Sequence, residues 1–281
     1  MQSVLEILDK CAGYFASKGV PDAKLDAQIL LAHALGCKRL DLFLRFDEPL
    51  PETRLSVFRE MAKRRAKREP LQHIVGTVEF FGLTLKSDGR ALVPRHETEE
   101  LCDIITREIF TDKAAEISVL DLGTGTGAIA LALAKYFPNA KVTAADLSEE
   151  AIALAKENAE VVGANVEFVK SDWFENISGR FDLIVANPPY LTDAEVASAE
   201  PEVRDFDPVN ALVSPDNGLA DLRKILRGAK NFLNENGALA CECGVGQPEV
   251  LAKEALETLG FSRAESICDL SGRQRFLVCR P

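Results

Sequence analysis

Apolar positions in the first 75 residues recur at helical spacing, and no stretch among them alternates as a strand would. Val4, Leu5, Leu8, Cys11 and Phe15 form one stripe, and a second begins at Pro21, runs through Leu25, Ile29, Leu30 and Ala34, and stops at Gly36. A third run, 51–69, sets Leu55, Phe58 and Met61 on one face and ends before Pro70. Packing such stripes on one another predicts a small helical bundle over 1–75. From Gly76 the period changes to two. Val78, Phe80, Leu83 and Leu85 precede Asp88-Gly89, and Ala91-Leu92-Val93 follow, which predicts a β-hairpin turning at Asp88-Gly89 and serving as a linker over 76–95.

Pro94-Arg95-His96-Glu97-Thr98-Glu99 leads into a helix through Leu101, Ile104 and Ile105. Short apolar runs then alternate with amphipathic stretches. Strands are expected at 117–121, 141–146, 166–169, 181–186 and 238–243, as in an open, mainly parallel α/β sheet over 96–281. Two more, near 262–267 and 275–279, are joined only by Asp269-Leu270-Ser271-Gly272. That connection is too short for a parallel crossover, so the last strand is expected to run antiparallel.

Composition narrows the class. Of 281 residues, 47% are hydrophobic and 27% charged, which excludes a disordered or collagen-like chain. The longest apolar run, 127–134, falls far short of the roughly 20 residues that span a bilayer. Glu6 and Asp9 interrupt the N-terminus where a signal peptide needs a basic start and an apolar stretch. Seven cysteines show neither a CxxC pair nor paired-finger spacing, so no disulfide framework and no metal site is indicated. A cytoplasmic protein without a membrane partner is the expectation. Charge is uneven: residues 1–76 net +3 and the rest −14, together the −11 of the chain. The acidic larger part is a poor non-specific partner for nucleic acid, so none is expected. The split also suggests that the two parts grip oppositely charged regions of one partner, with association slowed by salt. The basic run at 63–68 reads either as a nucleic-acid patch or as a solvated last helical turn, where the dipole favours cations, and the second reading is the simpler.

Candidate chemistry sits at strand ends. Val119-Leu120-Asp121-Leu122-Gly123-Thr124-Gly125-Thr126-Gly127 closes the first sheet strand with glycines that let the chain turn sharply and let a ligand approach the backbone. Gly125 to Ala130 also satisfies the dinucleotide pattern GxGxxG/A, so the loop alone does not choose between cofactors. Asp146, 19 residues after Gly127, ends the second strand, where a carboxylate can accept both ribose hydroxyls of a nucleoside. Its ordinary alternative is an N-cap, for which Ser148 is better suited. After the third strand, Asp172 can accept from an adenine amine, and Trp173 offers either a ring surface or a core side chain.

Asn187-Pro188-Pro189-Tyr190, at the tip of the fourth strand, is the most informative motif. Two prolines remove two donors and stiffen the turn, which frees the Pro188 carbonyl. With the Asn187 side-chain oxygen it provides two acceptors for a planar NH2 group, while Tyr190 offers a flat surface for its π face.

These residues, with Asp121-Leu-Gly-Thr-Gly-Thr-Gly127, resemble class I methyltransferases that use S-adenosylmethionine to modify planar amino or amide nitrogen. Almost end to end the chain is similar to one branch, the HemK/PrmC-type glutamine methyltransferases of peptide chain release factors. Pro70-Leu-Gln-His-Ile-Val-Gly76, Glu79-Phe-Phe-Gly82, Val93-Pro-Arg-His-Glu-Thr-Glu99, Asp269-Leu-Ser-Gly-Arg273 and the helical N-terminal region carry that likeness. The resemblance implies a Rossmann-like domain using S-adenosylmethionine, with S-adenosylhomocysteine as product and no metal. It implies cofactor contacts from Gly123, Thr124, Gly125, Thr126, Gly127, Asp146, Trp173 and Asn187, beside Asp172 from the residue reading. Asn187, Pro188, Pro189 and Tyr190 would hold the target glutamine and carry catalysis. The implied partner is the Gly-Gly-Gln loop of class I release factors, met by a monomer whose residues 1–75 recognise it. Rival readings are a methyltransferase of a ribosomal-protein glutamine or of a nucleic-acid base amine, and a nicotinamide oxidoreductase, which leaves 187–190 unexplained. Two departures from the family stand out. His96 replaces a proline, and Cys241-Glu242-Cys243-Gly244 replaces a more aliphatic strand, its cysteines expected as small core residues.

Overall fold

The computed structural model describes residues 2–281, which fall into two compact units. One comprises the chain up to Gly76 together with Glu200–Phe206, and the other comprises Thr77–Ala199 and Asp207–Pro281.

The first unit is helical. Val4–Ser17 opens with a capping box, Ser3 accepting from the Glu6 amide and Glu6 accepting from the Ser3 amide. It buries Val4, Ile7, Leu8, Cys11 and Phe15 but leaves Leu5 exposed. Ala23–Leu35 stops at Gly36, which adopts φ 68° as a left-handed C-cap. Leu25, expected on its inner face, is exposed instead. In Glu52–Ala66 the inner face is Leu55, Phe58, Met61, Ala62 and, unexpectedly, Arg65.

Neither reading of the basic run accounts for that arginine. Arg65 reaches Asp26 at 2.7 Å and Glu202 at 2.8 Å, and Arg68 pairs with both Glu200 and Glu202 at 2.6 Å. Lys63 and Arg64 do lie on the solvated side, pairing with Glu60 and Glu69. Two of the six basic-run positions are thus structural clasps that hold Glu200–Phe206 in the helical unit. Deleting one partner of such a buried pair costs about 3–5 kcal/mol, because it strands the other charge.

The second unit begins with a hairpin, β1 (Thr77–Phe80) and β2 (Leu83–Lys86), paired Phe80 to Leu83. Its turn is Phe81-Gly82, at φ 48° and 77°, not Asp88-Gly89. A two-residue hairpin loop of the type I′ kind takes positive φ at both positions, and Gly82 supplies the easier one. Asp88 instead accepts from the Arg90 side chain, and 91–93 forms no strand. The hairpin falls within the second unit.

A seven-stranded sheet follows in the order β5-β4-β3-β6-β7-β9-β8. Its strands are β3 (Ser118–Leu122), β4 (Lys141–Asp146), β5 (Glu167–Lys170), β6 (Phe181–Ala186), β7 (Leu233–Glu242), β8 (Arg263–Cys268) and β9 (Gln274–Arg280). β3 to β7 are mutually parallel, and β9 runs antiparallel to both β7 and β8. Helices cover both faces, so β3 and β6 send alternate residues into two cores: Val119, Leu183 and Val185 into one, Leu120, Leu122 and Ile184 into the other. Cys241, Cys243 and Cys279 are buried in the second core as small side chains. β7 starts five residues earlier than the apolar pattern suggests. Its first turn, Asn-Glu-Asn-Gly, reads as a loop and pairs with β6 through an irregular register.

Chain order reverses between β3 and β6, the place where an open α/β sheet leaves a crevice. Leu122 is in register with both Ala145 and Ala186, and Asp146 with Lys170. Gly123, Asp146, Ser171 and Asn187 therefore leave the sheet side by side.

Candidate active site

One side of the crevice is made of main chain. Gly123, Gly125 and Gly127 take φ 71°, 55° and 83°, values that side chains other than glycine resist. The Gly123 and Thr124 amides donate to the Ala145 carbonyl at 2.8 and 3.0 Å, fixing the loop to β4. The Gly125 amide donates to Asp146 Oδ2 at 2.9 Å, while Asp146 Oδ1 accepts from the Ser148 amide. Asp146 is thereby aimed, with lone pairs to spare on each oxygen. The Ser148 hydroxyl, not Asp146, caps helix Glu149–Val162. Thr126 is buried, and its carbonyl accepts from the buried Asn158 side chain at 2.9 Å.

Beneath the loop lies a fully buried carboxylate. Asp121 Oδ2 accepts from Thr124 Oγ1 at 2.6 Å and from the Ala130 amide at 3.2 Å, and Oδ1 has no partner. Burial outweighs those two bonds and pushes its pKa up to about 7.

Trp173 forms a wall of this side. Its own φ is 48°, its ring NH donates to Asp221 at 3.2 Å, and a Cβ on Gly123 would lie 3.5 Å from the ring. Asp172 is half-buried beside it.

The other side of the crevice is the corner after β6. Pro188 is buried, and Asn187, Pro189 and Tyr190 are half-buried. Among the described residues, no donor engages the Pro188 carbonyl oxygen or Asn187 Oδ1. The corner's other side-chain polar groups are tied down. Asn187 Nδ2 donates to Thr98 Oγ1 at 3.0 Å, and the Tyr190 hydroxyl donates to Glu242 at 2.9 Å and accepts from Arg275 at 2.8 Å. Burial and the Glu242 charge raise the Tyr190 pKa well above its ordinary 10, so the phenol stays protonated. Burial also raises that of Glu242, opposed by Thr98, Arg275 and Tyr190.

The main chain beyond the corner is held equally firmly. Gln247 donates to the Tyr190 carbonyl at 3.0 Å, and Gly218 approaches so closely that a Cβ would stand 2.1 Å from that oxygen. Ser214, whose amide donates to Leu191, gives its hydroxyl to Asp221, the same carboxylate that holds Trp173.

The structure brings Gly123 to Gly127, Asp146, Trp173 and Asn187 to Tyr190 to adjoining strand ends. Sequence reasoning did not assign the supports: Thr98, Asn158, Asp221, Glu242 and Arg275. One signal was present, a lone carboxylate at Glu242 inside the otherwise apolar run 238–243. His96 is the first residue of helix His96–Ile104, the position where proline fits best, and its side chain is exposed beside Glu99. Arg95, next to it, pairs at 2.6 Å with buried Asp207, whose pKa burial pushes up to about 6.

Comparison with known proteins places the chain in a family. A family model described as the PrmC N-terminal domain matches residues 6–76, and one described as the methyltransferase small domain matches 102–201. A release factor glutamine methyltransferase of Geobacter sulfurreducens is 42% identical over 268 residues, covering 95% of this chain and 90% of that protein. One of Deinococcus radiodurans is 43% identical, covering 98% and 97%. Among solved structures, a methyltransferase from Pyrococcus furiosus superimposes with a TM-score of 0.55 at 24% identity, covering 78% of this chain and 98% of that one. The N-terminal domain of human METTL16 in complex with SAH has a TM-score of 0.50 at 18% identity, covering 71% and 76%. The two structures share a fold with this chain over those portions.

Proposed function

We infer, for a chain that belongs to the release factor glutamine methyltransferase family, that this site transfers a methyl group from S-adenosylmethionine to the side-chain amide nitrogen of a glutamine in a release factor. The finer reading names the Gly-Gly-Gln loop of class I release factors as substrate, and gives residues 1–75 of a monomeric, cytoplasmic enzyme the task of recognition. The match of 6–76 to the PrmC N-terminal domain supports that division of labour.

The observation that carries the chemistry is the pair of unengaged acceptors, Asn187 Oδ1 and the Pro188 carbonyl, on a corner where Asn187 Nδ2, the Tyr190 hydroxyl and the Tyr190 carbonyl are each bonded. A carboxamide NH2 has two hydrogens to give, and two acceptors hold it in one plane. The Tyr190 hydroxyl is committed to Glu242 and Arg275, so the residue contributes its ring and not a base. On the opposite side the residues fit an adenosyl sulfonium. An exposed Gly123, an aimed Asp146 and the Trp173 wall suit a nucleoside bearing a polar tail.

S-adenosylmethionine supplies a methyl already activated on a positively charged sulfur and leaves as the neutral thioether S-adenosylhomocysteine. The protein's share is alignment, which can supply about 7–11 kcal/mol at best. An amide nitrogen is a weak nucleophile because its lone pair is delocalised. As it bonds to carbon it turns pyramidal and gains positive charge, and Asn187 Oδ1 and the Pro188 carbonyl hold its hydrogens more strongly at that moment. Neither Asn187 nor the prolines can take the surplus proton, which passes to water.

The test is incubation with S-adenosylmethionine and purified class I release factors, with mass spectrometry locating the added methyl. Methyl on the Gly-Gly-Gln glutamine is expected. Asn187→Ala should lose about 10²–10³ in turnover while cofactor affinity stays within a few-fold. Methyl elsewhere, or a variant with near-normal turnover, overturns this reading.

A further inference from the structure

We propose that Thr98 and Glu242 are positioning residues that decide which end of the Asn187 carboxamide faces the substrate. The proposal rests on the reading of Asn187 as an acceptor for the target nitrogen. A carboxamide has almost the same shape after a half-turn, but the half-turn exchanges its acceptor for a donor. With Nδ2 outward, Asn187 would meet the substrate NH2 donor to donor. Something must therefore fix its sense.

The hydrogen-bond directions around Glu242 do so. Arg275 can only donate, and it reaches both the Tyr190 hydroxyl at 2.8 Å and Glu242 Oε1 at 3.1 Å. Tyr190 accepts from Arg275 and so spends its own proton on Glu242 Oε1, at 2.9 Å. The second oxygen, Oε2, takes the Thr98 hydroxyl proton at 2.7 Å. Thr98, its only proton spent, can then only accept from Asn187, and Nδ2 lies 3.0 Å from its oxygen. Nδ2 is thereby held inward, and Oδ1 is the end left for substrate. Glu242 is fully buried, so water does not compete along this chain of bonds. One carboxylate thus orients both the amide acceptor and, through the Tyr190 hydroxyl, the aromatic ring.

The directions make an unusual prediction for Glu242→Gln, a change of one atom with the shape preserved. Arg275 keeps the new carboxamide oxygen on its own side and turns the NH2 towards Thr98. Thr98 then accepts from that NH2, its proton is released towards Asn187, and the asparagine is drawn into the reversed sense. Thr98→Val removes the lock without reversing it, and Thr98→Ser keeps it.

The experiment measures kcat, KM for the release factor, cofactor affinity and melting temperature for these three variants beside Asn187→Ala. The expected order of kcat is Glu242→Gln lowest, down about 100-fold or more, then Thr98→Val, down about tenfold, with Thr98→Ser within about threefold of the parent. Cofactor affinity should stay within a few-fold in all, and the Thr98 pair should melt together, which separates orientation from folding. If Asn187→Ala is inactive while Thr98→Val and Thr98→Ser turn over equally well, the relay is overturned and the acceptor reading stands. If Asn187→Ala itself remains active, the acceptor reading falls first. Should Glu242→Gln fail to fold, the Thr98 pair decides alone.

Discussion

At the adjoining ends of β3 and β6, the glycine loop offers a ligand its main chain, whereas the asparagine–diproline corner offers two acceptors propped by buried side chains. The loop's geometry is local: three left-handed glycines, two amides on Ala145 and one carboxylate beneath. The corner's geometry is assembled from distant parts of the chain, Thr98, Glu242, Gln247 and Arg275, each a strand or helix away. A surface that must hold a common nucleoside needs only a shape that backbone can supply. A surface that must gain strength as charge appears on nitrogen needs dipoles that do not reorient, and a buried network prevents them from doing so. The two halves should accordingly fail in different ways.

The largest contrast is between two glycines of similar conformation. Gly127 has φ 83°, and a Cβ there would meet the side-chain atoms Ala155 Cβ and Leu131 Cδ1 at 3.1 Å and the Ala155 Cα at an ordinary 3.4 Å. Gly218 has φ 80°, but a Cβ there would stand 2.1 Å from the Tyr190 carbonyl, which cannot move without the corner. Gly127→Ala should cost about 1–2 kcal/mol from the left-handed backbone, plus a small repacking term. Gly218→Ala should cost about 4 kcal/mol or more, or else displace the corner and lower turnover about 100-fold with cofactor binding retained. Urea unfolding and cofactor titration on both variants measure the difference. Equal losses would show that the corner is no stiffer than the loop.

A second contrast is electrical. The corner's carboxylate, Glu242, has Arg275 at 3.1 Å, but Asp121 beneath the loop has no cation to offset its burial. Its pKa in the folded chain is about 7 against an ordinary 3.8, so between those values the folded state binds the proton more tightly than the unfolded one. Stability from this group is therefore full below about pH 4, declines as pH rises, and levels off above about pH 7. The gap corresponds to about 4 kcal/mol at most. Asp121→Asn should flatten that part of the profile, measured as the difference between the two proteins in urea unfolding from pH 4.5 to 8. A difference that stays flat across this range would mean that Asp121 is ionised throughout.

The same contrast explains how much was legible in the sequence. A main-chain loop announces itself because glycine spacing is its mechanism, and Asn187-Pro-Pro-Tyr190 is visible because two prolines have few other uses at the end of a buried strand. The supports are different, since a hydrogen bond between Thr98 and Glu242 joins residues 144 apart and leaves no local pattern. Cys241-Glu242-Cys243 drew notice for its cysteines, although the residue between them carries the network. The same limit hid the clasp of Arg65 and Arg68 on Glu200–Phe206, which looked like a solvated helix end. The hairpin turn was misplaced for a converse reason. Asp-Gly is the stronger local signal, but the observed pairing of Phe80 with Leu83 buries Phe80 and Leu85 and puts Phe81 in a left-handed conformation.

The smallest effect belongs to Tyr190→Phe, and it tests whether the corner needs the hydroxyl for chemistry or only for aim. Removing the oxygen leaves the ring in place and strips one bond from Glu242 and one from Arg275. Those two still face each other at 3.1 Å, so the charges remain paired and the loss should be about 1–3 kcal/mol of stability. Thr98 still donates to Glu242 Oε2, so the sense of the Asn187 amide is kept and turnover should fall less than tenfold. A hydroxyl that took the surplus proton would instead give a loss of about 10²–10⁴ with substrate affinity intact. Measuring kcat and KM together distinguishes these outcomes, because a loosened ring raises KM at least as much as it lowers kcat, whereas a missing base lowers kcat alone.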